Sequence, residues 1–235
     1  MRLGFLGTGI IASAVVRGLA GQGHQMLVSP RNKARAAELV AELAEVRIAA
    51  NADVVAQSDV ICLGLLAAQA PEVLKPLRFR EGQKVVSFMA DMALDDVAEL
   101  VAPAQAVAIM LPYPGIAWGG SPILALGDIS VIEDLFAPAN RIFEMQSEAQ
   151  LAAYLAAQAV LSPVAQLVAT TADWLADGPA GEAFLRMLVA TSLRDQEAAR
   201  LIDALNTEGG YNQRLRQHMD DAGMRAALRA GLDRL

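Results

Sequence analysis

The chain has 235 residues, which is enough for one large domain or two small ones. Its net charge of −7 and the lack of any basic stretch argue against nucleic acid as a partner. A single cysteine, Cys62, excludes an internal disulfide, and the two histidines lie too far apart in sequence to indicate a metal site.

The hydropathy of the chain indicates whether it contains a membrane span or a signal peptide. Hydrophobic residues make up 54% of the chain and its mean hydropathy is +0.35, which we interpret as a deep core together with a buried subunit interface. No run reaches the roughly 18 uninterrupted apolar residues of a membrane span. Arg2 before an apolar run resembles a signal peptide, but Gly7, Gly9 and the α/β pattern that follows indicate a first strand. We therefore expect a cytoplasmic protein without a membrane partner, in which Cys62 is a buried thiol.

The first twelve residues predict a strand, a glycine-rich turn and a helix. An apolar run over residues 2–6 leads into residues 7–12, which have the form G-x-G-x-x-A, and residues 10–20 show helical spacing. Gly7 allows a tight turn, Gly9 lets the backbone approach a pyrophosphate, and Ala12 permits close packing of helix on strand. The helix N-terminus faces the phosphate charge. The pattern predicts a dinucleotide site that includes Leu6, Gly7, Thr8, Gly9, Ile10 and Ile11.

Up to about residue 127, apolar runs alternate with helical segments. Runs typical of strands lie at residues 25–28, 60–64, 84–88, 107–111 and 122–126. Helical segments lie at residues 33–45, after Asn51, at 69–74 and at 94–101. Strands that are apolar on both faces and separated by helices predict an α/β fold with a doubly wound, mostly parallel sheet of the Rossmann type. Such sheets bind ligands at the carboxyl ends of their strands.

The second strand ends in Ser29, Pro30, Arg31 and Asn32. Ser29 stands twenty-two positions after Gly7, where an NAD site usually has an acid for the ribose 2′-hydroxyl. A hydroxyl, an amide and a guanidinium replace that acid, and arginine can bind two phosphate oxygens at once. We therefore expect NADP rather than NAD, with Ser29, Arg31 and Asn32 in its site. The alternative is that this stretch only caps and opens the next helix.

Three further stretches fall at the same edge of the predicted sheet. Asn51 precedes a short helix and can be its cap. The loops after two later strands should border the nicotinamide and offer it backbone groups and apolar walls. These loops contain Gly64, Leu65, Leu66 and Ala67 after one strand, and Phe88, Met89 and Ala90 after the next. Neither has an obvious acid or base, since we interpret Asp91 as a solvated or capping carboxylate.

The pattern becomes all helical at Ser147, so we place a domain boundary between residues 1–146 and 147–235. Residues 127–146 form the join, with a helix near 131–136 and a last apolar run at 141–145. Helices are then predicted at residues 147–176, broken or kinked at Ser162-Pro163, at 182–205 and at 211–235. The first of them is apolar nearly all round. We therefore expect it to be buried against a second copy of the chain, in a homodimer or a larger homo-oligomer.

A glycine pair within the helical region forms a second candidate site. Gly209 and Gly210 precede the last helical segment and would expose backbone N–H groups at its start. Such groups can bind the carboxylate of a substrate. The pair can equally be an ordinary turn between helices.

On these residues the chain resembles the pyrroline-5-carboxylate reductase family, over most of residues 1–127 and again over roughly the last 30. Residues 1–12 match the family's opening strand and turn, Ser29 falls on its phosphate-contacting serine, and Asn51 falls on a cofactor-contacting asparagine. Residues 85–90 resemble its Val-Val-Ser-x-x-Ala segment beside the nicotinamide. Residues 207–210 resemble its Ser/Thr-Pro-Gly-Gly turn, whose backbone binds the substrate carboxylate.

The resemblance implies a cytoplasmic, NADPH-dependent imine reductase like the enzyme that makes proline from pyrroline-5-carboxylate in proline biosynthesis, with helical domains that intertwine in a dimer. It implies that Gly209, Gly210, Tyr211 and Asn212 bind the substrate. Asn212 stands in place of the family's substrate-contacting threonine, and Asp195 falls near a family glutamate. With Tyr211, these two are the candidate catalytic residues. Asp195 or Tyr211 would orient the imine nitrogen, and Asn212 can hydrogen-bond the imine or the carboxylate.

Several substitutions at the substrate end leave alternatives open. Leu65-Leu66-Ala67 replaces the family's Val-Lys-Pro, and residues 111–115 replace its Met-Pro-Asn-Thr-Pro with Leu-Pro-Tyr-Pro-Gly. One alternative is an NADP-dependent oxidoreductase of a different small carboxylate substrate, such as a hydroxy acid. That chemistry usually needs a proton donor such as lysine, and no lysine follows Lys84. The other alternative is an NADP-binding protein without turnover.

Overall fold

The computed structural model describes residues 1–194 and 196–235, and the chain divides into two compact units, Met1–Leu151 and Ala152–Leu235. The sequence predicts this boundary slightly earlier, between residues 146 and 147. The helix at this junction begins at Glu148, and its Leu151, which is buried, belongs to the first unit. The junction therefore lies within the first turns of a helix rather than in a loop.

The first unit is built on one eight-stranded sheet. The strands are β1 (Arg2–Leu6), β2 (Gln25–Val28), β3 (Val46–Ile48), β4 (Val60–Leu63), β5 (Lys84–Ser87), β6 (Gln105–Pro112), β7 (Pro122–Gly127) and β8 (Arg141–Met145). They lie in the order β3-β2-β1-β4-β5-β6-β7-β8. All neighbours pair in parallel except β6 and β7, which are antiparallel. The predicted mostly parallel, doubly wound Rossmann sheet is confirmed.

Helices flank this sheet because its central strands are apolar on both faces. The helices of the first unit are α1 (Ile10–Gly18), α2 (Lys33–Glu42), α3 (Asn51–Gln57), α4 (Ala70–Leu74), α5 (Leu94–Val101) and α6 (Ser130–Phe136). Alternate residues of each strand point to opposite faces, which creates two cores. Phe5 and Cys62 belong to one core with α1, α2 and α6, whereas Leu6 and Leu63 belong to the other with α3, α4 and α5.

Cys62 is a structural thiol. Its side chain is 3% exposed within the first core. Burial raises the pKa of the thiol to about 12, so it stays protonated and unreactive at neutral pH. The prediction of a buried thiol is confirmed.

Strand β3 was not identified in the sequence, which suggested a helix through residue 45. Helix α2 ends at Glu42 because Leu43 is extended, with φ −129° and ψ 112°. The three residues Val46–Ile48 then pair with β2 at the edge of the sheet. A strand this short gives no alternating pattern of its own, since its existence depends on the neighbouring strand.

The second unit is all helical in its described residues, as predicted. Its helices, with the one that spans the junction, are α7 (Glu148–Ala157), α8 (Leu161–Leu175), α9 (Gly178–Arg194), α10 (Ala198–Ala204), α11 (Tyr211–Asp221) and α12 (Met224–Leu232). The break expected at Ser162-Pro163 lies one turn earlier, in a 3₁₀ turn at Gln158–Val160. Pro163 cannot donate to the carbonyl of Ala159 and its ring crowds that oxygen, so the distortion falls on the preceding turn.

The single helix predicted at residues 182–205 is two helices, α9 and α10. Helix α9 begins earlier than expected, because Pro179 in its first turn has a fixed φ and needs no N–H acceptor. Helix α10 begins after Glu197, whose backbone is extended. Gln196 and Glu197, which precede α10, are both polar and offer no apolar stripe on which a helix could continue.

One stretch of the described chain, Glu148–Leu175, is long and apolar enough to cross a membrane by length and composition alone. Its most apolar window has a mean hydropathy of 1.5, and 6% of that window is buried within the chain. The expected burial of this helix is therefore not provided by a single copy.

Candidate functional site

The carboxyl ends of β1, β2 and β4 meet at one edge of the sheet, where two cavities open. One has a volume of about 650 Å³ and is lined by Gly7, Thr8, Gly9, Arg31, Asn32, Lys33, Gly64, Leu65 and Leu66. The other, of about 610 Å³, is lined by Gly7, Ser29, Pro30, Arg31, Lys33, Ala50, Asn51, Leu65 and Val73. Because they share four lining residues, the two cavities form one groove, which we call the edge groove.

Three small residues fix the turn between β1 and α1. Gly7 has φ +98°, and a Cβ atom there would lie 2.2 Å from the carbonyl oxygen of Gly64. A Cβ atom on Gly64 would in turn lie 2.9 Å from Cβ of Ala12. The G-x-G-x-x-A motif therefore packs closely against Gly64, the first residue after β4. A side chain on Gly7 would clash with the backbone of Gly64 and distort the turn.

The N-terminus of α1 presents free backbone donors to the edge groove. The first helical hydrogen bond runs from the N–H of Ser13 to the carbonyl of Gly9, at 3.0 Å. Within the described residues, the N–H groups of Gly9, Ile10 and Ile11 have no acceptor. Gly9 and Ile10 are also exposed. Unpaired N–H groups at the positive end of a helix dipole form a binding site for phosphate.

Ser29 connects the end of β2 to the glycine turn. It is 1% exposed, and its Oγ accepts a hydrogen bond from the N–H of Gly7 at 2.7 Å. The backbone N–H of Ser29 also donates to the carbonyl of Phe5, at 2.9 Å. The hydroxyl hydrogen of Ser29 remains available to a phosphate oxygen, since the Gly7 contact uses only a lone pair. Ser29 therefore stabilises the glycine turn through its hydrogen bond to Gly7, and it also lines the edge groove.

Cations lie on the loop from β2 to α2. Arg31 and Lys33 line both cavities of the edge groove, and Arg31 is exposed. Asn32 is the N-cap of α2, and its Oδ1 accepts from the N–H of Arg35 at 3.2 Å. Of the residues in this stretch, only Asn32 therefore caps the helix through its side chain. The guanidinium of Arg31 donates instead to Oε1 of Gln69, across the groove.

Asn51 lines the second cavity and is not a helix cap. The N-cap position of α3 belongs to Ala50, and Asn51 is the first helical residue. Within the described residues the side chain of Asn51 has no hydrogen-bond partner, so its amide is available to a ligand.

The loops after β4 and β5 are apolar, as expected. Leu65 and Leu66 line the first cavity, and Leu66 is 63% exposed there. Ala67 begins the 3₁₀ turn Ala67–Gln69. Phe88, Met89 and Ala90 follow β5 at the same edge of the sheet but do not line either cavity of the edge groove.

The glycine pair of the second unit forms a turn whose own N–H groups are occupied. The N–H of Gly209, which has φ +70°, donates to Oε1 of Gln213 at 2.9 Å. The N–H of Gly210 donates to the carbonyl of Thr207 at 3.0 Å. In the described residues, the free donors at the start of α11 are instead the backbone N–H groups of Tyr211, Asn212 and Gln213. The side chains of Tyr211 and Asn212 are exposed, and that of Tyr211 is 90% exposed. Asp195 lies outside the described residues.

Five residues that line or cross the edge groove are not among those predicted from the sequence: Pro30, Lys33, Ala50, Gln69 and Val73. Pro30 and Lys33 flank predicted residues and could have been found by extending the β2 loop in both directions. Val73 and Gln69 belong to α4 and to the turn before it, and they reach the groove only because that segment folds over it. No group of three or more His, Cys, Asp or Glu side chains that could bind a metal occurs in the described part of the chain.

A glycine turn, free helix N–H groups and cations at the end of β2 define the class of protein as one with a dinucleotide-binding Rossmann domain. Residues 2–91 match a family model described as NADP oxidoreductase, coenzyme F420-dependent. This match covers β1 to β5 and therefore the whole edge groove. No curated protein sequence matches the chain.

Solved structures define the fold more narrowly. Pyrroline-5-carboxylate reductase from Streptococcus pyogenes is 22% identical, with a TM-score of 0.81 over 100% of this chain and 96% of that one. Plasmodium falciparum pyrroline carboxylate reductase, solved with NADP bound, is 14% identical, with a TM-score of 0.81 over 99% and 94%. The Coxiella burnetii reductase is 16% identical, with a TM-score of 0.80 over 99% and 96%. The resemblance found in the sequence is confirmed at the level of the fold, which is that of the pyrroline-5-carboxylate reductases.

The dual position of Ser29 leads to a testable prediction. We expect Ser29→Ala to lower the free energy of unfolding by about 1–3 kcal/mol, because the buried N–H of Gly7 loses its acceptor. Because the turn itself loosens, affinities for both NADPH and NADH should fall, as measured by fluorescence titration with each nucleotide. The loss should be larger for NADPH, which also loses a hydroxyl donor to its 2′-phosphate. A loss confined to NADPH, with unchanged thermal stability, would instead show that the hydroxyl acts only on the 2′-phosphate.

Proposed function

We propose that this protein is an NADPH-dependent reductase that transfers hydride to the C=N bond of a small cyclic imino acid, as in the reduction of pyrroline-5-carboxylate to proline. The observation that supports this most strongly is the edge groove. It joins free N–H groups at a helix N-terminus to a cationic β2 loop, within a fold that matches such reductases along nearly their full length.

The groove fits the phosphates of NADPH. The N–H groups of Gly9, Ile10 and Ile11 would bind the pyrophosphate, and Gly7 keeps the backbone clear. Arg31, Lys33 and the hydroxyl of Ser29 would bind the 2′-phosphate, where an acid would repel it. When bound, the nicotinamide supplies the hydride.

The apolar rim is compatible with this chemistry. A protonated imine is already electrophilic, so the protein must mainly position it beside the nicotinamide and exclude water. Leu65 and Leu66, together with the residues after β5, provide such a surface. A carbonyl substrate would need a proton donor in addition, and the loops after β4 and β5 contain no lysine or histidine.

We propose that the start of α11 binds the substrate carboxylate. The N–H groups of Tyr211 and Asn212 are free and lie at the positive end of an eleven-residue helix. The internal hydrogen bonds of Gly209 and Gly210 then serve to shape the turn. The amide of Asn212, the hydroxyl of Tyr211 and the carboxyl group of Asp195 are the candidates for orienting the imine nitrogen.

We further propose that the protein works as a homodimer or a larger homo-oligomer formed by its helical unit. Large apolar side chains are exposed throughout that unit, including Trp174 at 83%, Met187 at 70% and Phe184 at 60%. A second copy would cover them, because patches of this size are rarely left in water. Light scattering without detergent should give at least twice the mass of one chain. A protein that stays monomeric, or that needs detergent to remain dispersed, would contradict this.

A steady-state assay tests the reductase proposal. The purified protein is supplied with NADPH or NADH and with pyrroline-5-carboxylate, a six-membered cyclic imino acid or the corresponding keto acids. The corresponding hydroxy acids are tested in the oxidative direction, with NADP+ or NAD+. Consumption of NADPH with a cyclic imino acid is expected. Turnover confined to a keto or hydroxy acid would contradict imine reduction, and tight NADPH binding without turnover of any substrate would indicate a binding protein.

An imine other than pyrroline-5-carboxylate is the second candidate substrate. The exposed Leu66 stands where the family has lysine, which makes this part of the rim more apolar. A larger, more hydrophobic imine would gain about 25 cal/mol for each Å² of apolar surface it buries there. A higher kcat/KM for such an imine in the same assay would favour this candidate.

A further inference from the structure

A side-chain contact between Arg31 and Gln69 joins the loop after β2 to the segment after β4 at the edge groove. Arg31 lies on the loop after β2, and Gln69 lies at the end of the 3₁₀ turn after β4. The guanidinium of Arg31 donates through Nη2 to Oε1 of Gln69. Two segments that follow different strands thus meet at the edge groove, whose two cavities both include Gly7 and Leu65 in their lining.

Gln69 is the only hydrogen-bond partner that the described residues offer to the side chain of Arg31. Arginine has several rotatable bonds, so an unanchored guanidinium would sample many positions over the groove. Gln69 itself is well placed to act as an anchor. It is half-buried, and its own backbone N–H donates to the carbonyl of Leu66 at 2.9 Å, which fixes the turn.

The contact leaves most of the guanidinium available. Arginine has five N–H donors in a rigid plane, and the bond to Gln69 uses one of them. The remaining donors can bind a phosphate with two parallel hydrogen bonds. Because Arg31 lines both cavities, this side chain lies where the adenosine end and the pyrophosphate of one dinucleotide would meet.

We propose that Gln69 is a positioning residue for cofactor specificity: it anchors Arg31 so that the guanidinium is already aligned for the 2′-phosphate of NADPH. This rests on the proposed function in so far as it assumes that NADP is the cofactor. Gln69 does not itself select the phosphate. It removes the entropy loss that Arg31 would otherwise incur on binding, and NADH gains nothing from that because it has no 2′-phosphate.

A double-mutant cycle tests the proposal. Dissociation constants for NADPH and NADH are measured for the wild type, Gln69→Ala, Arg31→Ala and the double variant. Fixing one flexible side chain in advance is worth about three- to tenfold in affinity. We expect Gln69→Ala to raise the Kd of NADPH by about that factor and to leave that of NADH unchanged. In the Arg31→Ala background, the same substitution should have no effect on either nucleotide.

A second variant at Gln69 tests the same contact without shortening the side chain. Gln69→Glu retains the length but places a carboxylate beside the 2′-phosphate, so NADPH binding should fall further than in Gln69→Ala. Gln57→Ala, an exposed glutamine at the end of α3, serves as the matched control and should leave both affinities unchanged.

The outcomes separate this inference from the proposed function. An equal loss for NADPH and NADH in Gln69→Ala, no loss for either, or the same loss in the Arg31→Ala background would overturn the positioning role while leaving the reductase proposal intact. A wild type that binds neither nucleotide would overturn the proposed function and this inference with it.

Discussion

Replacing Gly7 with alanine should abolish nucleotide binding and markedly destabilise the first unit. Gly7 has φ +98°, which costs an L-residue about 1–2 kcal/mol. The new Cβ atom would also lie 2.2 Å from the carbonyl oxygen of Gly64, a backbone atom that cannot move without displacing β4. We therefore expect the free energy of unfolding to fall by about 2–5 kcal/mol in total.

Gly9→Ala is the matched control for this substitution, because it makes the same change two residues away. Gly9 has φ −69°, and a Cβ atom there would have nothing within 4 Å. Its stability should therefore stay within about 0.5 kcal/mol of the wild type. The new methyl group would nevertheless occupy the space that a pyrophosphate needs near the helix N–H groups. Nucleotide affinity should fall roughly tenfold or more.

Thermal unfolding and nucleotide titration of both variants measure the two effects. Gly7→Ala should lower Tm by roughly 5–15 °C and bind no NADPH, whereas Gly9→Ala should keep its Tm and lose affinity. If Gly9→Ala bound NADPH as tightly as the wild type, the cofactor would not lie against the N-terminus of α1. If Gly7→Ala kept both its Tm and its affinity, the turn would not have the tight geometry described here.

The glycine turn could be predicted because its determinants are local. Strand, turn and helix follow one another within the first 18 residues, and the roles of Gly7, Gly9 and Ala12 depend on this local geometry. The parallel sheet was equally accessible, since strands buried on both faces are recognisable from their own composition. Strand β3 and the break between α9 and α10 were missed because neither leaves a periodic signal in its own residues.

The contacts that complete the edge groove could not be predicted, because they join residues distant in sequence. Ser29 was identified from its spacing to Gly7, but its hydrogen bond to that residue appears only once β1 and β2 pair. The packing of Gly64 against Ala12 and the contact of Gln69 with Arg31 have the same origin. For the helical unit, the sequence correctly predicted helices. The exposed apolar side chains of this unit support the expectation of a second copy of the chain. They do not indicate where a substrate binds.

The second large effect on stability is expected from the loss of Arg80. Arg80 does not line the edge groove, but its side chain stabilises α3, whose first residue, Asn51, does line it. The side chain of Arg80 donates to the carbonyls of Val55 at 3.0 Å, Ala56 at 2.6 Å and Ser58 at 2.9 Å. These are the carbonyls at the C-terminus of α3, which have no helical partner. A cation at this end also opposes the negative pole of the helix dipole.

We expect Arg80→Ala to lower the free energy of unfolding by about 2 kcal/mol, because three hydrogen bonds from a charged group are lost and only water replaces the guanidinium at the exposed carbonyl of Ala56. The loss is limited because Nε2 of Gln83 still donates to Val55 at 2.7 Å and to Ser58 at 2.8 Å. Chemical denaturation should show the change. Arg78→Ala is the control, since Arg78 is exposed and lacks a polar contact among the described residues.

Loss of Arg80 should also weaken nucleotide binding, because α3 connects its contacts to the edge groove. The helix has seven residues, and its first residue, Asn51, lines the second cavity. A helix this short depends on its caps and its packing, so fraying at one end shifts the other. We expect Arg80→Ala to weaken NADPH and NADH binding equally, by a few-fold, when measured well below its Tm. Equal stability of the Arg80 and Arg78 variants would show that Gln83 alone is sufficient to cap α3.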